Sequence, residues 1–171
     1  MALSTPDGMA GSSKCLSLED LCIIEEKLCW VLYCDLICLD YDGNLLDACS
    51  IALTAALKNT MLPTVELSEK TQVPQTNMEK KTCLNITSCP ISTTFAIFDD
   101  KILFVDPTQE EETVAGGLVS VVTSWDNVNI INKPGGSPLT PQQLQDIICR
   151  AKARTEEVTR LIDETVLNVE R

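Results

Sequence analysis

Histidine is absent from all 171 residues, and that omission removes several kinds of chemistry. No Ser-His-Asp or Cys-His nucleophile system, no HExxH zinc site and no imidazole pH switch can be assembled from this chain alone. Cations are scarce as well: 13 Lys and Arg against 25 Asp and Glu leave a net charge of −12. Such a balance argues against autonomous nucleic-acid binding, which rests on Lys and Arg neutralising phosphates. All four arginines (Arg150, Arg154, Arg160, Arg171) fall in the last 22 residues. From Leu28 to Leu57 there is no Lys or Arg, while Asp35, Asp40, Asp42 and Asp47 all lie there. A phosphate approaching that segment meets only negative side chains. Long hydrophobic runs are missing too. The longest, Leu28–Leu39, is too short to span a bilayer and contains Asp35, so no membrane association is expected. The opening MALSTPDGMAG has neither the basic nor the apolar region of a secretory signal.

Cysteine is plentiful: nine residues, at 15, 22, 29, 34, 38, 49, 83, 89 and 149, with no C-x-x-C pair. Without histidine to complete a ligand set, no metal and no cofactor are expected. An odd number of unpatterned cysteines in an unsecreted chain reads as reduced thiols acting as small buried hydrophobes, in cytosol or nucleus.

Along the chain, residues 1–18 open with a Gly/Ser-rich stretch and are expected to be disordered. Leu16–Lys27 is ambiguous in type. Leu28–Leu39 (LCWVLYCDLICL) is β-branched, aromatic and apolar on both alternating faces, which predicts a strand buried on both sides. In that strand Trp30 and Tyr33 would be core residues, and Cys34 and Cys38 would pack on one face. After the Asp40–Gly43 turn, Asn44 stands as an N-cap with Asp47 at N3. An Ala/Leu helix follows over Leu45–Leu57, with Leu45, Cys49, Ala52, Leu53 and Ala56 on one stripe. Thr64–Leu67 is a strand candidate and Ser68–Lys81 a polar loop. Short strands are predicted at Cys83–Thr87, Thr93–Phe98, Lys101–Val105, Leu118–Thr123 and Val128–Asn132, with Asp99-Asp100 as a tight hairpin. Thr140 caps a final helix with Pro141 at N1, carrying Leu144, Ile147, Ile148, Ala151, Val158, Leu161, Ile162 and Val166 every three or four residues. This order predicts an α+β protein with helices on one side of a mixed sheet.

The remaining motifs read as ordinary surface. Glu110-Glu111-Glu112 is a solvated acidic loop rather than a metal site, because three consecutive acids cannot share one face. Gly135-Gly136-Ser137 is a turn rather than a phosphate cradle. The cluster Arg150, Lys152, Arg154 and Arg160 is interleaved with Glu156, Glu157, Asp163 and Glu164, as on a salt-bridged helix face.

Three stretches in this order are specific: LICLDYDGNLLDA (Leu36–Ala48), FDDKILFVDPTQEEE (Phe98–Glu112) and KPGGSPLT (Lys133–Thr140). Together they resemble the ribonuclease PH family, and within it a eukaryotic ring subunit of the RNA exosome. The resemblance implies a ribonuclease PH-like (ribosomal protein S5 domain 2-like) fold, incomplete at the N-terminus. Residues 19–67 would be the remaining part of a first lobe, and residues 83–166 a second lobe with a long C-terminal helix. Active relatives cleave RNA from the 3′ end by phosphorolysis, which needs an anion site and a carboxylate that handles a proton or a metal. Active members carry an Asp-Gly-Gly-Thr-Arg-like sequence; here it is Asp42-Gly43-Asn44-Leu45-Leu46, so Leu46 stands where the phosphate-binding arginine belongs. In the second motif, Asp106-Pro107-Thr108-Gln109-Glu110-Glu111-Glu112, Asp106 survives but Thr108 replaces the second carboxylate. The resemblance therefore implies no catalytic residues. It implies a structural subunit that supports 3′-to-5′ RNA processing and decay, including ribosomal RNA maturation and messenger RNA turnover, in nucleus, nucleolus and cytoplasm. Its implied partners are other ribonuclease PH-like exosome subunits, S1/KH cap subunits, and RNA through the assembled ring. The alternative is an active phosphorolytic exoribonuclease.

Overall fold

The computed structural model describes residues 15–17, 19–67, 74–125 and 127–168. At its centre is a four-stranded sheet built from β5 (Ile91–Phe98), β6 (Ile102–Val105), β7 (Gly117–Ser124) and β8 (Asn127–Asn132), in the order β6-β5-β7-β8. Every pairing is antiparallel, so the mixed sheet expected from the strand order is not what forms. Tight turns join β5 to β6 and β7 to β8, and short connections favour antiparallel pairing; β7 returns beside β5 only after β6 and residues 106–116. The hairpin between β5 and β6 turns on Asp99 (φ 47°) and Asp100 (φ 57°), left-handed residues whose twist matches that of the strands. At the β7–β8 turn Trp125 is also left-handed, while Asp126 lies outside the described residues.

β5 and β7 are the most buried strands, and their alternation sorts them into two kinds of surface. Phe95, Val119 and Val121 pack on Ile147 and Ala151 of the long C-terminal helix, Pro141–Asn168. Farther along, Ile91 meets Val158 and Ile162 of the same helix. That helix starts in a capping box: Thr140 Oγ1 accepts from the Gln143 N–H at 3.2 Å, and the Thr140 N–H donates to Gln143 Oε1 at 2.9 Å. Of its predicted stripe, Leu161 alone is strongly exposed.

The first helix, α1 (Leu45–Asn59), meets β5 where β6 stops. There the Ser92 N–H donates to Ser50 Oγ at 3.0 Å and the Thr94 N–H donates to Asp47 Oδ2 at 2.8 Å. Helix side chains thus accept from strand N–H groups that no neighbouring strand reaches. This corrects the predicted stripe in part, since of its residues Cys49 and Leu53 stay half-buried. The buried residues of α1 are Asp47, Ser50, Thr54 and Leu57, while Leu45, Ala52 and Ala56 are exposed.

A second apolar cluster joins Leu21, Leu57 and Leu84, with Leu16, Trp30, Leu32, Leu53, Leu62 and Ile86 around it. The ambiguous Leu16–Lys27 stretch contributes a 3-10 turn at Glu19–Leu21 and β1 (Cys22–Ile24), which pairs with β2 (Leu28–Cys29). The predicted strand Leu28–Leu39 therefore shrinks to Leu28–Cys29. No described residue offers the rest of it a ladder partner, and Val31, Tyr33, Ile37 and Leu39 are exposed. Tyr33, Cys34 and Cys38 are consequently surface residues, not core; Trp30 is half-buried. Only Cys15 and Cys89 are buried cysteines, and burial pushes both thiols above their ordinary range.

β3 (Met61–Leu67) and β4 (Pro74–Cys83) form an antiparallel ribbon. The predicted polar loop Ser68–Lys81 thus ends in a strand over Pro74–Lys81, where cross-strand pairing with β3 outweighs a polar composition; residues 68–73 lie outside the described residues. The predicted strand Cys83–Thr87 resolves into the end of β4 and a single bridge from Ile86 to Leu16. Residues 1–14 and 18 also lie outside the described residues.

Candidate functional site

The two motif stretches meet at the start of α1. Gly43 (φ 86°) lies so close to the 107–109 backbone that a Cβ there would fall 2.4 Å from the Pro107 carbonyl oxygen. Only glycine fits that approach. Asn44 follows in the left-handed conformation and is buried. It occupies the N-cap position, but its side chain does not cap. Instead Asn44 Nδ2 donates both to Asp47 Oδ2, at 3.0 Å, and to Asp106 Oδ1, at 2.7 Å. One amide therefore ties the start of the helix to the end of β6. The left-handed backbone turns the amide away from the helix N–H groups, so the predicted Asn44–Asp47 capping box does not form.

Asp47 is 3% exposed and faces the interior. Besides Asn44 it accepts from the Thr94 N–H, and from Thr94 Oγ1 at 2.9 Å. Thr94 Oγ1 in turn lies 2.8 Å from Ser120 Oγ on β7. The carboxylate that was expected to repel phosphate at the surface is thus a buried anchor between helix and sheet.

The anion position at this helix start is filled from within. The Asn44 N–H donates to Glu112 Oε1 at 2.8 Å, and the Tyr41 hydroxyl donates to Glu112 Oε2 at 3.1 Å. A backbone N–H at a helix start favours negative charge, and here a side chain of the same chain supplies it. The bond to the Glu112 carboxylate, reinforced by its charge, holds the Tyr41 phenol above its ordinary pKa. Every hydrogen bond to Asp47, Asp106 and Glu112 among the described residues comes from an amide, a backbone N–H or a hydroxyl, and none from Lys or Arg. Leu46 sits beside this cluster, partly exposed, with no charge to offer.

Glu112 reaches the site because the predicted acidic loop is a short helix, α2 (Gln109–Val114). Thr108 starts it: Thr108 Oγ1 accepts from the Glu111 N–H, and Glu111 Oε2 accepts from the Thr108 N–H at 2.8 Å. This capping box outweighs the repulsion of three adjacent acids, whose charges also suit a helix N-terminus. The Thr108 hydroxyl is therefore occupied with starting a helix.

The other candidates do not join the site. Lys133 Nζ donates to the carbonyls of Gly135 at 2.7 Å and Gly136 at 3.3 Å, as in a closed turn. Arg150 pairs with Asp146 at 3.3 Å along its own helix. Among the described residues no group of three or more His, Cys, Asp or Glu is placed to hold a metal, and no helix is long and apolar enough to cross a membrane. Sequence reasoning missed Tyr41, Ser50, Thr94 and Ser120, and set Glu112 aside as part of a solvated acidic loop. The hydroxyl run Ser92-Thr93-Thr94 inside an otherwise apolar strand was the one available signal.

Two models of one family match the chain: 3′ exoribonuclease family, domain 1, over residues 16–63, and domain 2 of the same family over residues 88–154. Exosome complex component rrp43 of Schizosaccharomyces pombe is 36% identical over 150 residues, covering 83% of this chain and 53% of the relative. Exosome complex component Rrp42 of Pyrococcus horikoshii is 34% identical over 155 residues, covering 90% and 56%. The chain thus spans about half the length of the curated relatives it matches. Among solved structures, an archaeal exosome core superposes with a TM-score of 0.73 at 28% identity, over 90% of this chain and 59% of that one. An Archaeoglobus fulgidus exosome with RNA bound to the active site superposes with a TM-score of 0.56 at 30% identity, over 71% and 44%.

Proposed function

Because the chain belongs to the 3′ exoribonuclease family, with a ribonuclease PH-like fold shared with exosome ring components, we propose that it is a non-catalytic ring subunit supporting 3′-to-5′ RNA processing and decay. Ribosomal RNA maturation and messenger RNA turnover are the processes it would serve, in nucleus, nucleolus and cytoplasm. Other ribonuclease PH-like subunits and S1/KH cap subunits would be its neighbours, and RNA would be met through the assembled ring.

The observation that carries the non-catalytic reading is the Glu112 carboxylate on the Asn44 N–H. Phosphorolysis needs inorganic phosphate held beside the scissile bond. At this helix start the donor is taken by an acid, Leu46 stands at the arginine position, and Asp47 and Asp106 add negative charge nearby. A single lost charge-assisted contact to phosphate already removes about 1.5–3 kcal/mol. Displacing Glu112 would cost more.

The purified chain should release no nucleoside diphosphate from a 3′-tailed RNA in the presence of phosphate. Robust release that Asp106→Ala abolishes would establish an active exoribonuclease instead. Co-purification with other ring subunits tests assembly, and its absence, alongside a full-length relative that does assemble, would end the subunit reading.

A further inference from the structure

The short ribbon of β1 and β2 sets two cysteines against each other. Cys22 and Cys29 are direct partners in its antiparallel register, and both are exposed free thiols. One step along the same register, the Trp30 N–H donates to the Leu21 carbonyl at 2.8 Å. Hydrogen-bonded and non-hydrogen-bonded pairs alternate in an antiparallel ladder, so Cys22 and Cys29 form a non-hydrogen-bonded pair. Such a pair brings its Cα atoms to about 4.5 Å with both side chains on one face. That lies inside the span of about 4.4–6.8 Å that a disulfide bridges. The arrangement is local: the Lys27 N–H closes the turn on the Ile24 carbonyl at 3.1 Å, and Glu26 (φ 59°) supplies its left-handed residue. Among the described residues, no other two cysteines are partners in a strand register.

We propose that Cys22 and Cys29 are a reversible redox site that closes as a cross-strand disulfide by exchange with a low-molecular-weight disulfide, oxidised glutathione being the simplest. One thiolate of the pair attacks a glutathione sulfur, forming a mixed disulfide and releasing one glutathione thiol. The opposed thiolate then attacks the protein-side sulfur, breaks the mixed S–S bond and releases the second glutathione thiol. The two protein thiols give up two electrons and two protons in all, and oxidised glutathione takes them up as two thiols. Closure staples the step beside Leu21 and Trp30, which belong to the same apolar cluster as Leu57 and Leu84. It would thus brace a ribbon whose strands are only three and two residues long. Exposed disulfides are the labile ones, so the bond would open again as the poise turns reducing.

The whole chain, reduced and then held in glutathione buffers of rising oxidised fraction, tests this. Remaining thiols are alkylated, the chain is cut after Glu and Lys, and disulfide-linked peptides are identified by mass spectrometry. Cleavage after Glu19, Glu25 and Lys27 separates Cys22 from both Cys15 and Cys29. The Cys22–Cys29 link should form in the least oxidising buffer that joins any cysteines, and dithiothreitol should reverse it. It should exceed every other cysteine pair by about tenfold, because opposed partners meet at high effective concentration. In urea that preference should vanish, with near neighbours such as Cys34 and Cys38 competing. Cys22→Ser should abolish the link and leave Cys29 as a glutathione mixed disulfide, with circular dichroism unchanged. Mixed disulfides on both Cys22 and Cys29 with no link between them would overturn the proposal. So would another pair closing first, or the same preference in urea, since nearness along the chain rather than strand register would then be the cause.

Discussion

Leu28–Asn59 is the more apolar of two regions, yet it and Ile91–Asn168 spend their apolar side chains in opposite directions. In the second region Ile91, Phe95, Val119, Val121, Ile147 and Ala151 are wholly buried between sheet and helix. In the first, Asp47, Ser50 and Thr54 point inward, while Val31, Tyr33, Ile37, Leu39 and Leu45 are exposed. The sheet region holds itself by burial of apolar surface. The α1 region is attached to it through hydrogen bonds as well as packing: Asp47 and Ser50 accept from β5, Asn44 clamps Asp47 to Asp106, and Ile51 and Ala55 pack on Ile91, Val158 and Ile162. Apolar side chains turn inward only where another surface covers them. The sheet and the long helix cover each other, whereas none of the described residues covers the outer row of 31–39.

That contrast can be broken most sharply at Phe95. Phe95→Ala leaves a cavity in the shared core and should destabilise the chain by about 3–5 kcal/mol in urea unfolding; a loss below 1 kcal/mol would mean that the sheet core is not the source of stability. Asp47→Ala comes next. It strips the acceptor from Thr94 and Asn44, and buried groups left unsatisfied should make the loss about 2–3 kcal/mol in the same assay. Were Asp47→Leu to restore stability, the attachment of α1 would be hydrophobic after all.

A subtler effect concerns Glu112, read by alkaline absorbance titration. With Tyr33→Phe leaving Tyr41 as the one remaining phenol, its midpoint should lie above the ordinary value of about 10, because Glu112 holds the neutral form. A raised folded-state pKa means that this bond stabilises the fold fully below the unfolded pKa and is lost as pH rises through the folded one. Glu112→Gln should bring the midpoint down; an unmoved midpoint would detach Glu112 from Tyr41. The smallest effect is expected at Ile37, which is 81% exposed. Ile37→Ala should change stability by less than about 0.5 kcal/mol, and a large loss would show the outer row to be covered in solution.

The strands and helix of the second region were legible because local pattern and tertiary partner agree there. The short strands predicted at Thr93–Phe98 and Leu118–Thr123 and the three-to-four spacing from Leu144 to Val166 point to surfaces that meet. Asp99-Asp100 and Thr140-Pro141 carried their own turn and cap chemistry. In the first region the same rules reached only part way: of the stripe Leu45, Cys49, Ala52, Leu53 and Ala56, Leu53 packs in an apolar cluster while Leu45, Ala52 and Ala56 are exposed, because β5 meets α1 with the Ser92 and Thr94 N–H groups as well as with Ile91. The site was half legible. Gly43, Leu46, Asp106 and Thr108 came from motif positions. Glu112 lies in the same motif, but its role did not follow, because nothing in the order of residues says that a short acidic helix will lean 68 residues back to the Asn44 N–H.

What the chain determined by itself is composition and its local consequences. The absence of histidine and of any cation between Leu28 and Leu57 excludes most site chemistry there, whatever the fold, since no packing can create a missing functional group. The four-stranded region and its helix are also written locally, in short strands, turns, helical spacing and a cap. Only the tertiary structure decided which carboxylates are solvated and which are anchors. Asp47 became an internal acceptor, Asp106 and Asn44 a clamp, and Glu112 the anion at a helix start, because charge placement depends on which donors the fold brings within hydrogen-bond reach.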